Sequence, residues 1–322
     1  MLFIKINAAY LYKLSSSKKT KHLLALTILG NNSAIPAYGR NPTAQVLQTN
    51  DENYLIDCGE GTQLQLAKYN IKKSKINKIF ISHLHGDHYF GLIGLLSSMG
   101  LMGRTTDIHI HAPAKLEPII QLHLDAANTT LPYKIYFHAI TKEGEIANDK
   151  KITVSAFSVN HRIECWGFKF TERKKPRSIL LDKVKAYEIP EAYYGALQKG
   201  ENYTTKKGTI INNEDVTEPS SVARCYAYCA DTIYDETLVQ KIKGAHVIYH
   251  ETTYLKDMEE RAALRYHCTT IQAGNIAKLA EVEKLIIGHF SSKYEFLDPF
   301  LSETKEVFEK TELGLEGTCF KI

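Results

Sequence analysis

Ile81-Ser82-His83-Leu84-His85-Gly86-Asp87-His88 sets three imidazoles and a carboxylate within six residues, directly after the largely apolar run Ile76 to Ile81. Neutral imidazole nitrogen with carboxylate oxygen is the ligand chemistry of zinc. At an extended strand exit, side chains alternate with period two, so His83 and His85 point the same way. Gly86 allows a sharp turn, and Asp87 and His88 then leave on a different vector. One short segment therefore seeds two adjacent metal positions. A chance histidine cluster in a surface loop would not combine this spacing with a preceding strand and a following Gly-containing helical pattern.

Composition excludes several classes. At 322 residues, with 44% hydrophobic and 24% charged residues, the chain can bury a core without disulfide staples. Cys58, Cys165, Cys225, Cys229, Cys268 and Cys319 are dispersed, most of them in apolar runs, and read as reduced core residues of a cytoplasmic protein. Cys225 and Cys229 face one side of a strand, but no second pair completes a thiolate zinc site. No stretch has the length of a membrane span, so no membrane partner is expected. Residues 1–22 lack the unbroken apolar core of a signal peptide and read as a poorly ordered extension. The net charge of +4 permits an acidic partner without demanding one.

From about residue 24, short β runs alternate with helical patterns, and two runs of strands followed by helices predict an α/β layered sandwich with helices outside. A helix is expected over His88–Met102. One segment breaks the pattern. From Glu172 to Gly208 there are nine Lys or Arg against five acids, interleaved with Tyr187, Tyr193, Tyr194 and Tyr203. Single His or Asp residues close several apolar strands: His161, Asp231, His250 with Glu251, and His289, while His267 lies between two helices. Each alone is an ordinary strand-end residue. Together with the 83–88 cluster they supply the distant ligands that a dinuclear site needs. Asp57 ends another strand, where it can orient a ligand histidine.

These segments resemble the metallo-β-lactamase superfamily and, within it, the ribonuclease Z family of tRNA 3′-processing endonucleases, over about residues 24–322. Leu29-Gly30 to Asn41-Pro42 is similar to the family's first strand and loop, and Asp57-Cys58-Gly59-Glu60-Gly61-Thr62 to its first acidic motif. His83 to His88 matches the superfamily signature. Cys229-Ala230-Asp231-Thr232 is similar to a Gly-Asp-Thr motif, with Ala in place of Gly. His250-Glu251-Thr252-Thr253 and His267-Cys268-Thr269 resemble the family's His-Glu-Ala-Thr and His-Ser-Thr loops, and Gly288-His289 its last ligand motif.

The resemblance implies a four-layer αββα metallo-β-lactamase sandwich over 23–322, with an inserted flexible tRNA-binding arm at about 174–215. It implies two zinc ions per subunit: His83, His85 and His161 on one, Asp87, His88 and His289 on the other, and Asp231 bridging. Asp87 accepts the proton of the attacking water, and His267, oriented by Glu251, protonates the departing ribose oxygen. Arg40, Asn41, Lys174, Lys175, Arg177, Lys199, Lys206 and Lys207 are the expected RNA contacts. The expected substrate is precursor tRNA, and the expected assembly a homodimer. Glu188, Glu191 and Arg177 depart from the arm's usual Gly and Pro pattern. Two other readings compete: hydrolysis of a small ester, thioester or lactam on the same scaffold, and a zinc-dependent RNA-binding protein without catalysis. A small substrate needs neither the basic insert nor the His267 motif, and a complete ligand set argues against lost catalysis.

Overall fold

A computed structural model describes residues 24–220 and 222–322. The expected extension at 1–22 lies outside the described residues. Two seven-stranded sheets carry the fold. In spatial order the first holds Cys319–Lys321, Ala25–Gly30, Ala44–Gln48, Asn53–Ile56, Ile76–Phe80, Ile108–Pro113 and Ile135–Ile140. The second holds Thr311–Leu313, Lys284–Gly288, Val247–Glu251, Cys225–Cys229, Trp166–Glu172, Ile152–Ser158 and Gly144–Asn148.

Period-two alternation divides each strand between two cores. Leu26, Ile28, Leu47, Tyr54, Phe80, Phe168, Phe170, Tyr226 and Tyr228 pack between the sheets. The intervening residues turn outward: Leu55, Ile79 and Ile110 meet Leu92, Leu95 and Met99 of the helix Leu92–Leu101. On the other side Ala227, Ile248 and Leu285 meet Ala273, Ile276 and Phe300 of the helices Thr270–Leu279 and Asp298–Val307. The order is thus helix, sheet, sheet, helix, as expected. Thr269 opens its helix with a reciprocal capping box to Gln272.

Three details differ from the sequence reading. The helix expected over His88–Met102 is two pieces, Gly86–Tyr89 and Leu92–Leu101. Between them, His88 O accepts from Cys58 N–H at 2.7 Å and Gly91 N–H donates to Cys58 O at 2.9 Å. These bonds tie the metal-motif turn to the loop after Asn53–Ile56. Gly91 is required there, because a Cβ would lie 2.2 Å from Gly59 O. Cys319 is exposed, unlike the other five cysteines, because it sits on the strand at the edge of the first sheet.

The insert folds on itself. Val184, Ile189, Leu197, Ile211 and Val216 form a separate small core. Ser178–Ile179 pairs antiparallel with Thr217–Glu218, so the paired region closes just beyond the expected boundary at 215. Strand pairing rather than composition sets that limit.

Gly91→Ala is expected to lower the unfolding free energy by ~1–3 kcal/mol, read from the urea midpoint, because a methyl group has no room against the Gly59 carbonyl.

Candidate metal centre and catalytic site

The site lies where strands of both sheets end. His83 to His88 follow Ile76–Phe80, Asp231 follows Cys225–Cys229, Glu251 closes Val247–Glu251, and His289 follows Lys284–Gly288. His161 comes from the turn between Ile152–Ser158 and Trp166–Glu172. Four non-glycine residues here have left-handed backbones: Asp57 at φ 55°, Tyr266 at φ 58°, His289 at φ 60° and Ala34 at φ 64°. Such conformations are unfavourable for these residue types and persist when surrounding contacts fix them.

Outer hydrogen bonds assign the imidazole tautomers. His161 Nδ1 donates to Tyr266 O at 2.9 Å, which leaves Nε2 as a lone pair. His88 Nδ1 donates to Asp57 Oδ2 at 2.7 Å. His83 Nδ1 donates to Ser82 Oγ at 3.0 Å, and that hydroxyl donates to Asp57 Oδ2 at 2.8 Å. His289 Nδ1 donates to Thr253 Oγ1 at 2.9 Å, and Thr253 Oγ1 donates to Glu251 Oε2 at 2.8 Å. Asp57 also accepts from Ser82 N–H at 2.7 Å and Tyr228 Oη at 2.6 Å.

With the imidazoles neutral, as cation ligands are, the inward face is lined with acceptors. His83 Nε2 is 3.0 Å from His85 Nδ1, and His161 Nε2 is 3.2 Å from the same atom. Asp231 Oδ2 lies 3.6 Å from His83 Nε2 and 3.4 Å from His88 Nε2, while Oδ1 lies 3.3 Å from His289 Nε2. His88 Nε2 is buried and has no hydrogen-bond partner. Two groups of ligand atoms converge: His83, His85, His161 and Asp231, and Asp87, His88 and His289. Asp231 faces both. Imidazole nitrogens and carboxylate oxygens that converge this closely suit divalent cations.

Protonation agrees. Burial, then the neighbouring imidazoles, hold His83 well below its usual range and His85 down to about 4. Both lone pairs are thus available at neutral pH. Burial pushes the Asp87 and Asp231 carboxyls up, but His88 and His289 more than offset it, so both stay ionised. Asp87 Oδ2 also accepts from Ala34 N–H at 2.7 Å.

His267 sits apart from the ligand tautomer chain. Its Nδ1 donates to Glu251 Oε1 at 2.9 Å, and Glu251 also accepts from the backbone N–H of Cys268 and Thr253. Burial opposes the charge on His267, yet the Glu251 carboxylate raises it to about 9, so His267 carries a proton at neutral pH. Asp231 and Asp87 add a smaller share, which bound cations would cancel. His250 is buried, with Nδ1 2.6 Å from Glu251 O, and lies outside the ligand groups.

The expected RNA contacts divide into two sets. Arg40 is spent inward, on Asn32 Oδ1 at 2.9 Å, Glu295 O at 2.9 Å and Tyr294 O at 2.5 Å. Asn41 is held by Glu316 through its backbone N–H and its side-chain amide. These two residues fix the loop that presents Ala34 N–H to Asp87. By contrast Lys174, Lys175, Arg177 and Lys199 line one cleft of about 960 Å³ on the insert, and Lys206 and Lys207 line another with Tyr187 and Tyr203. Arg177 spends Nε on Thr217 Oγ1 at 2.7 Å.

Sequence reading missed Tyr228, Ser82 and the carbonyl of Tyr266 as orienting partners. Nothing in an alternating strand marks one tyrosine as the partner of a carboxylate 171 positions away.

The family model described as "Anti-Pycsar protein Apyc1" matches residues 24–175. The chain is 43% identical to "Ribonuclease Z" of Bacteroides thetaiotaomicron over 299 residues, covering 92% of this chain and 95% of that protein. It is 42% identical to "Ribonuclease Z" of Cytophaga hutchinsonii, covering 92% and 96%. Among solved structures it resembles the short form of human tRNase Z, with TM-score 0.68, 26% identity and coverage of 92% and 98%. It shares its fold with a metallo-β-lactamase fold protein of Bacillus subtilis, with TM-score 0.67, 18% identity and coverage of 94% and 100%.

Asp57→Asn replaces an acceptor-only carboxylate with an amide that cannot satisfy its donors. It is expected to weaken divalent-metal binding by roughly 10–100-fold, measured by competition with a chelating dye.

Proposed function

Because the chain belongs to the ribonuclease Z family, we propose that it is a metal-dependent endoribonuclease that removes the 3′ trailer from precursor tRNA. The products are a tRNA 3′-hydroxyl and a trailer 5′-phosphate. The observation that carries the reading is the pairing of a converging ligand cluster with a His267 held by Glu251 through Nδ1 on the same cavity. A site built to bind metal alone would not need the second element.

In this reading His83, His85 and His161 hold one zinc ion, Asp87, His88 and His289 the other, and Asp231 faces both. Bound there, two divalent cations supply charge stabilisation for phosphodiester displacement and make water at the site more acidic. The chain's own residues do the rest. Asp87, whose Oδ2 accepts from Ala34 N–H, takes the proton of the attacking water. His267 releases a proton from Nε2 to the departing ribose oxygen, since Nδ1 is committed to Glu251. Glu251 orients His267 directly and His289 through Thr253.

The insert is the tRNA-binding arm. Its Lys174, Lys175, Lys199, Lys206 and Lys207 contact backbone phosphate without reading sequence, and Arg177 adds charge to the same cleft. Arg40 and Asn41 act on RNA through the loop they hold. The proposal includes a homodimer in the cytoplasm, where precursor tRNA is the partner. Exposed Leu64, Leu101 and Met102, on or beside the neighbouring helices Thr62–Lys68 and Leu92–Leu101, are apolar surface that such an assembly would cover. Among the described residues no helix is long and apolar enough to cross a membrane.

The direct test is cleavage of a precursor tRNA with a 3′ trailer by purified, chelated and zinc-restored protein. One metal-dependent cut beside the discriminator nucleotide is expected. No cut by protein carrying two metal ions would favour hydrolysis of a small ester, thioester or lactam. His267→Ala is expected to lower kcat by about 10²–10⁴-fold while sparing metal content and RNA affinity. Deleting residues 174–215 is expected to weaken precursor binding while sparing cleavage of a small phosphodiester. Equal loss on both substrates would point to misfolding.

A further inference from the structure

We infer that Arg162 is a phosphate clamp of the catalytic cavity, a role that rests on the endonuclease reading for its substrate. Arg162 is exposed and lines the same cavity of about 310 Å³ as Asp87, Phe90 and His267. Its Nη2 lies 3.2 Å from His85 Nε2. That contact does not suit a metal-loaded site. His85 turns Nδ1 toward His83 Nε2 and His161 Nε2, at 3.0 and 3.2 Å. When that lone pair serves a cation, the hydrogen of the neutral ring moves to Nε2. A guanidinium only donates, so two donors then face each other. Arg162 must turn to another acceptor.

No carboxylate supplies one: Arg162 forms no ion pair among the described residues, and the carboxylates lining its cavity, Asp87 and Asp231, belong to the cation groups. A phosphate oxygen in the cavity does, and the planar fork of Arg matches its geometry. The backbone that carries Arg162 is pinned in place. Asn160 N–H donates to Thr232 Oγ1 at 3.3 Å, Ile233 N–H donates to Asn160 O at 2.9 Å, and Val159 N–H donates to Cys165 O at 3.1 Å. The turn is therefore fixed against the loop that bears Asp231, while the side chain is free to swing. His267 and Arg162 divide the polar work: one gives a proton to the leaving oxygen, the other holds a non-bridging oxygen of the scissile phosphate.

The test compares the parent with Arg162→Ala and Arg162→Lys, all zinc-loaded. Metal per chain is measured by elemental analysis, affinity for inorganic phosphate by NMR titration, and kcat/KM on a precursor tRNA. Arg162→Ala is expected to keep its metal, to bind inorganic phosphate about 10-fold more weakly, and to lose roughly 100-fold in kcat/KM. Arg162→Lys should recover part of both, since it restores charge without the fork. Unchanged phosphate affinity with cleavage within twofold of the parent would overturn the inference. So would loss of metal in step with activity, because Arg162 would then act by positioning His85. A parent that binds phosphate through Arg162 but does not cut precursor tRNA would sink the endonuclease reading and leave the clamp standing.

Discussion

Seven side chains point ligand atoms at one small volume. Asp231 alone faces His83, His88 and His289 within 3.3–3.6 Å. Such a cluster is electrostatically unfavourable without cations, and it must be held open by groups outside it. Asp57 and Glu251 do this. Each is a buried carboxylate whose acceptor capacity is filled by several donors. Asp57 governs His88 directly and His83 through Ser82. Glu251 governs His267 directly and His289 through Thr253. Two anions therefore set the orientation of four imidazoles.

The fold supplies what that arrangement needs. Two sheets packed face to face through large aromatic side chains give a rigid floor, and the ligands stand on the loops beyond it. Rigid support is worth having because a misplacement of about 1 Å can cost a catalytic site much of its rate. The left-handed conformations of Asp57 and His289 show the same division of labour. The local backbone is held in an unfavourable state so that a side chain can reach the site, and the packing of both sheets offsets that strain.

The insert works by different physics. Its core is only a handful of residues, and its clefts are lined with lysines that lack the hydrogen-bond networks of the metal site. The proposed role suits that looseness, since phosphate binding through point charges needs no fixed geometry on a long, regularly charged polyanion. Precision is concentrated at the cation cluster and Arg162, where one phosphate must be placed.

The side chains that converge at the site were legible in the sequence. The spacing of His83, His85, Asp87 and His88 after a strand fixes their chemistry locally, and strand-end His161, Asp231 and His289 follow from the need for distant partners. The layered fold was legible as well, since alternation within each strand records which faces are buried. The break at Phe90–Gly91 was not, because it depends on hydrogen bonds to Cys58, thirty-odd residues away. Nor was the inward use of Arg40, which sequence alone offers as a free cation. Tyr228 as a partner of Asp57, and Arg162 facing His85, are equally absent from any local pattern. Residue type and spacing determine which atoms can bind a cation or carry a proton. Which lone pair each imidazole presents, and which cation remains free for substrate, depends on partners brought together only when the two sheets close.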